Sequence, residues 1–165
     1  MSVIDDVLQS NAKVAIHYDP NAVSPRPTKR LAILTCMDTR LGLHVLGLEP
    51  QDAHIIRNAG GIVTGDALRS LLISHYLLGT DEVMVINHTD CGLMKATEEE
   101  MHDQIERAAG IPASSPLKFH AFKDVEKNVR EQLRKLESHS WVRSDLKIRG
   151  FVFDVATGKL REVLR

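Results

Sequence analysis

Two spacings of apolar residues alternate along this chain, and together they outline an α/β protein. Val3, Ile4, Val7 and Leu8 recur at helical spacing and lead into Val14, Ala15 and Ile16, which predicts an N-terminal amphipathic helix. Asp19 to Pro27 then carries Pro20, Pro25 and Pro27, which exclude regular helix and make this stretch an extended arm. Leu31 to Thr35 is a short apolar run of the kind found in buried parallel strands. Leu41 to Leu48 reads as a short helix, Ala53 to Arg57 as a second strand and Gly60-Gly61 as a turn. Asp66 to Leu78 is apolar on most sides, which predicts a deeply buried helix ended by Gly79. Glu82 to Asn87 is a third strand. Thr97 and Glu100 have the spacing of a capping box for a helix reaching about Ala109, stopped by Gly110 and Pro112. Phe122, Val125, Val129, Leu133 and Leu136 mark one face of a long helix from about Pro116 to Ser138. Ile148 to Val155 and Leu160 to Leu164 read as strands around the turn Ala156-Thr157-Gly158-Lys159. Strands alternating with helices predict a mostly parallel central sheet flanked by helices, with ligands gathering beyond the carboxyl ends of its strands.

Length and charge narrow the class. The 165 residues fit one domain, 1–165, divided into the helix and Pro-rich arm (1–28) and the α/β body (29–165). A formal net charge of -1 gives no reason to expect nucleic acid or an anionic membrane as partner. No apolar stretch approaches the roughly 20 residues that span a bilayer. The N-terminus has neither a basic head nor an apolar signal core, so the expected location is cytoplasmic. There, the two cysteines stay reduced and tend to serve metals or catalysis.

Those two cysteines stand where predicted strands run out. Cys36 follows the run from Leu31, and His88 and Cys91 follow the run that ends at Asn87. Two thiolates and an imidazole suit a borderline-soft divalent ion, zinc above all, and three protein ligands leave a tetrahedral ion one position short, as in catalytic sites. The plainer reading is two buried thiols and a hydrogen-bonded histidine. Asp38 and Arg40 tilt the balance toward a metal, because an arginine fork holds a carboxylate ionised and oriented. Asp38 then either accepts a proton from metal-bound water or fills the fourth position itself. Asp90 reads as a supporting or turn residue. Zinc lowers the pKa of bound water from 15.7 to about 7. Two thiolates offset the metal's charge more than imidazoles would, so activity is expected to favour mildly alkaline pH.

The runs Cys36-Met37-Asp38-Thr39-Arg40, Arg57-Asn58-Ala59-Gly60-Gly61 and His88-Thr89-Asp90-Cys91-Gly92, in this order, resemble the β-class carbonic anhydrases, and the short length resembles their compact prokaryotic branch. The resemblance is close from about Leu31 to Leu93. It implies one zinc per subunit on Cys36, His88 and Cys91, with Asp38 and Arg40 as the catalytic dyad. It implies reversible hydration of carbon dioxide to bicarbonate and a proton, with backbone amides near Gly60 and Gly92 bordering the substrate pocket. It also implies four parallel strands plus an antiparallel edge strand, and a homodimer, or a tetramer built from such dimers, in which the N-terminal helix embraces the partner. The glutamine that some plant-type members place in the pocket has no counterpart here.

Two rivals share these residues. Hydrolysis of carbonyl sulfide or carbon disulfide uses the same ligand set, and a zinc-binding domain without turnover would have no need of Asp38 and Arg40. Other signals fail on their own terms. Gly60 to Gly65 has phosphate-loop spacing, but Asp66 and Ala67 stand where Lys and Ser/Thr are required. Cys36 and Arg40 are separated by three residues where a cysteine phosphatase needs five. His44, His54, His75, His102, His120 and His139 are scattered singly and read as core or surface residues. Glu98-Glu99-Glu100 reads as the acidic first turn of a helix, and Tyr76 with Leu68 to Leu72 as core or dimer interface.

Overall fold

The computed structural model describes residues 2–112 and 117–165. Its sheet is built from β1 (Leu31–Cys36), β2 (Ala53–Asn58), β3 (Glu82–His88), β4 (Lys147–Asp154) and β5 (Lys159–Val163), in the spatial order β2-β1-β3-β4-β5. The first four of these in space run parallel and β5 pairs antiparallel with β4. The expected four parallel strands and antiparallel edge strand are therefore present.

The central strands have apolar side chains on both faces because both faces are covered. On one face, Ala32, Leu34, Val83, Val85 and Val152 pack beneath α2 (Gly65–Leu78) and α4 (Val125–Glu137) through Ala67, Leu71, Val129, Leu133 and Leu136. On the other, Ile33, Ile86 and Phe153 meet Leu41, Val45, Leu46 and Leu48 from the segment between β1 and β2. Gly150 permits the approach of α4, since a Cβ there would stand 2.4 Å from Val129 Cγ1.

Local chemistry explains most element ends. The helix α1 (Val3–Ala15) starts at a capping box between Ser2 and Asp5, and α3 (Glu98–Ala109) at the expected one between Thr97 and Glu100, with Gly110 closing it in the left-handed conformation. Three expectations need correction. Leu41 to Leu48 forms only a 3-10 turn, Leu43–Leu46, because Gly47 turns left-handed directly after it. Helix α2 forms as expected but is not deeply buried, with Ile73, Tyr76 and Leu77 exposed. The long helix begins at Val125 rather than near Pro116, which lies outside the described residues. Asp124 caps it by accepting from Lys127 N–H at 2.9 Å. Phe122 precedes it because the Glu98 carboxylate accepts from the backbone N–H groups of Phe119 and Ala121 and holds that segment in a non-helical course, with His120 between them at a φ of 61°. The Pro-rich arm is tied down by backbone bonds from Thr28 to Gln51 and from Lys29 to Asp52. Among the described residues, no helix is long and apolar enough to cross a membrane.

Candidate metal centre

Strands β1 and β3 are hydrogen-bonded neighbours in parallel register, Thr35 beside Ile86, so Cys36 and His88 leave the sheet side by side at its carboxyl edge. After His88 the chain turns at Asp90, whose φ of 55° lies in the left-handed region. Cys91 then precedes a 3-10 turn, Gly92–Met94. The effect is to bring Cys36 Sγ, Cys91 Sγ and a His88 ring nitrogen within 4.8 Å of one another, with all three residues buried. Both thiols are free.

The imidazole shows what the cluster is shaped for. His88 Nδ1 lies 2.8 Å from the Thr89 carbonyl, which can only accept, so Nδ1 carries the proton and Nε2 the lone pair. His88 is 1 % exposed, and Nε2 is the one buried side-chain nitrogen or oxygen among the described residues with no hydrogen-bond partner. A buried lone pair without a donor is costly. Two sulfurs beside it make a nitrogen-and-thiolate donor set that suits zinc, and the carbonyl on Nδ1 is the support that a ligating histidine usually has. The residues present therefore fit the ion.

The sulfurs are electrostatically unequal. The neighbouring Cys91 thiol, then His88 and the backbone at Asp38 and Gly60, whose N–H lies 3.3 Å from the sulfur, hold the Cys36 thiol far below its usual range despite its burial. Cys91, giving up its proton less readily beside that thiolate, is pushed up. Burial opposes charge on His88, but the Cys36 thiolate, the Thr89 carbonyl and Asp38 outweigh it and raise the imidazole.

Asp38 and Arg40 meet as their spacing suggested. Arg40 donates from Nη2 to Asp38 Oδ2 at 2.7 Å and from Nε to Oδ1 at 3.0 Å, and its backbone N–H reaches Oδ1 at 2.9 Å. The guanidinium holds the Asp38 carboxyl well below the usual carboxylate range. Asp38 Oδ2 stands 3.8 Å from His88 Nε2. Asp90 turns outward, where Arg40 Nη1 meets it at 3.0 Å and Lys95 at 2.8 Å. Gly60 is buried in the turn Ala59–Gly61 with its N–H committed to sulfur, whereas Gly92 is exposed at the rim. Among the described residues His88 is the only histidine in the metal-competent group; His54 bonds Ser74 and Pro25, and His75 bonds the Thr80 carbonyl.

Two supports escaped the reading of single residues. Arg57 reaches back from β2 to the carbonyls of Cys36 and Asp38, and Asn87 donates to the Gly60 carbonyl at 2.9 Å. Arg57 lies within a motif run, and Asn87 is a polar end to an apolar strand.

A parallel α/β sheet with a Cys-His-Cys group at the edge of two neighbouring strands, and an arginine-held carboxylate beside it, defines a metalloenzyme scaffold with three protein donors. The family model described as carbonic anhydrase matches residues 31–160. Beta-carbonic anhydrase 1 of Mycobacterium bovis is 44 % identical over 165 residues, covering 99 % of both chains. A crystal structure of carbonic anhydrase from Streptococcus mutans superposes with a TM-score of 0.90 at 42 % identity, covering 99 % of both chains. A carbon disulfide hydrolase of Acidianus is 33 % identical, covering 97 % of this chain and 90 % of that one. The chain belongs to the β-class carbonic anhydrase family.

Proposed function

We propose that the protein interconverts carbon dioxide and bicarbonate with one zinc per subunit held by Cys36, His88 and Cys91. The observation that carries this is the buried, unpartnered His88 Nε2 set among two sulfurs. When bound, zinc supplies a Lewis acid that makes hydroxide available near neutral pH. Asp38, kept ionised by Arg40, acts as a hydrogen-bond acceptor beside the point where the three donors converge. Both of its oxygens already accept from the guanidinium, which favours a role in orienting water and taking its proton over a role as fourth ligand. Gly60 holds the Cys36 sulfur, and the exposed Gly92 leaves an open rim through which a small linear substrate reaches the pocket.

The higher identity and fuller coverage of the carbonic anhydrase relatives favour carbon dioxide over carbon disulfide as substrate. Helix α1 contributes no buried residue, and Val3, Ile4, Val7 and Leu8 are all exposed. That uncovered stripe supports a homodimer in which it packs on the partner subunit. Two free buried thiols accord with a reducing, cytoplasmic location.

Zinc content together with stopped-flow hydration of carbon dioxide tests the proposal, on the parent and on Cys36→Ser. Stoichiometric zinc and rapid hydration in the parent, both lost in Cys36→Ser, are expected. A zinc-free or inactive parent overturns the reading, and sulfide release from carbonyl sulfide faster than carbon dioxide hydration reassigns the substrate.

A further inference from the structure

The buried face of α4 is not wholly apolar. Asn128 and Gln132, one turn apart, are 4 % and 1 % exposed among Val129, Leu133 and Leu136. Buried amides are unfavourable unless their polar atoms are bonded, and here each link is made. The Val63 N–H can only donate, and it reaches Gln132 Oε1 at 2.9 Å. That turns Gln132 Nε2 toward Asn128 Oδ1 at 2.8 Å, and Asn128 Nδ2 toward Asn87 Oδ1 at 2.7 Å. Asn87 Nδ2 is then left to donate to the Gly60 carbonyl at 2.9 Å and the Gly61 carbonyl at 3.3 Å, which can only accept. Backbone groups of fixed polarity at both ends thus set the orientation of all three amides. Lys135 Nζ adds a second donor to Gln132 Oε1 at 3.3 Å, in the same sense.

The chain ends on Gly60, whose own N–H bonds Cys36 Sγ. We infer that Asn128 and Gln132 are positioning residues for the metal centre, holding the Gly60 turn through Asn87 so that its amide stays on the Cys36 sulfur. Asn58 already braces this turn locally, bonding the Ile62 carbonyl and N–H at 2.8 Å each. The α4 chain adds a tie to β3 and to the helix layer, and a fully satisfied buried network fixes one geometry where apolar packing tolerates several. The inference rests on the reading of Cys36, His88 and Cys91 as zinc ligands.

Asn128→Leu and Gln132→Met break the chain at nearly constant volume, while Val129→Ala removes buried methyl groups from the same turn of α4 without touching it. Zinc affinity is measured by chelator competition, and the thiolate-to-cobalt charge-transfer band is recorded on cobalt-substituted protein. Asn128→Leu and Gln132→Met are expected to bind zinc about tenfold more weakly, the scale of lost support behind a ligand. Their band moves to longer wavelength, because a sulfur that loses an N–H bond is a stronger electron donor. Val129→Ala keeps the parent's affinity and band even where its Tm falls as far. Parent-like affinity and band in both chain variants overturn the inference, as does a loss in Val129→Ala that tracks its Tm. Should Asn128→Leu fail to fold, Gln132→Met carries the same two outcomes from one link further away. A parent that takes up no zinc overturns the proposed function and this inference together. A parent that binds zinc, with both chain variants matching it in affinity and band, overturns the inference alone.

Discussion

Arg57 Nη2 donates to the main-chain carbonyl of Asp38 at 2.5 Å, and its Nε donates to that of Cys36 at 3.0 Å. One guanidinium thus spans the turn that carries a metal-ligand candidate at one end and, at the other, the carboxylate proposed to orient water. A planar fork can hold two carbonyls at once, whereas a lysine ammonium offers a single point of charge. Arg57→Lys is expected to lower kcat/KM for carbon dioxide hydration about tenfold, the scale of a small misplacement at a reacting centre. Zinc content is expected to stay stoichiometric, since the ligands themselves are untouched. Parent-like kcat/KM, or loss of zinc in parallel with activity, would show that Arg57 does something else.

Gly61 separates two kinds of glycine in this chain. Its φ is +63°, and a Cβ would stand 2.9 Å from Asn87 Nδ2, 3.0 Å from the Thr35 carbonyl carbon and 3.1 Å from the Cys36 backbone nitrogen. Two of those neighbours are β1 backbone and cannot move aside without shifting Cys36. Left-handed strain of about 1–2 kcal/mol and overpacking of about 1–3 kcal/mol therefore act together in Gly61→Ala. At Gly65, the first residue of α2, a Cβ meets nothing within 4 Å. Thermal denaturation should show Gly61→Ala destabilised by about 2–5 kcal/mol. Gly65→Ala should be unchanged or slightly stabilised. Equal Tm values for the two variants would contradict this account of the Gly60-Gly61 turn.

The residues that read clearly from sequence are those whose environment is local. Ala32 to Cys36 is buried without interruption, so β1 shows as an apolar run broken only by Thr35, whose hydroxyl bonds the Ile86 carbonyl. The Thr97–Glu100 box and the Asp38–Arg40 pair are legible because their partners lie three and two positions apart. What escaped depends on partners distant in sequence. The start of α4 is hidden because Phe122 continues the helical spacing while Glu98, more than 20 positions earlier, captures the backbone at Phe119 and Ala121. Asn128 lies among core positions of α4 and becomes intelligible only beside Asn87, 41 positions away. Periodicity can mark a face as buried, but it cannot say which of its polar atoms are satisfied.

Zinc bound to the folded centre and not to the unfolded chain adds to stability by mass action. At a free concentration about 100 times Kd this amounts to about 2.7 kcal/mol. For a chain of 165 residues, about 2–4 °C of Tm accompanies each kcal/mol. Chelation is therefore expected to lower Tm by about 5–10 °C. Added zinc restores it in the parent. Cys91→Ser, which leaves His88 and Cys36 in place, shows little response to either treatment. A parent whose Tm ignores both chelator and zinc would count against the metal centre without any reference to activity.

Glu98 gives the segment before α4 a dependence on pH. Its carboxylate accepts from the backbone N–H of Ala121 at 3.0 Å and also from that of Phe119. Those bonds hold its pKa below the ordinary glutamate value against the opposing effect of burial, with His102 and His120 adding attraction whenever they are charged. A carboxylate lowered in the folded state contributes stability that is fully present above its unfolded pKa of about 4.3 and is lost as pH falls through the folded value. The Phe122 N–H bonds the Leu93 carbonyl at 3.1 Å, and the Leu93 side chain closes over Gly60, so release of this segment reaches the rim of the metal centre. A neutral amide in Glu98→Gln can accept only through one oxygen, and its NH2 group opposes the second backbone donor. Glu98→Gln should therefore melt about 2–4 °C below the parent near neutral pH. The gap should close progressively once the pH drops below about 4. Hydrogen exchange at Phe119 and Ala121, referred to intrinsic rates, should follow the same course, with protection in the parent at neutral pH and little in acid. An equal separation of the two Tm values at pH 3 and pH 7 would remove Glu98 as the group that holds this segment.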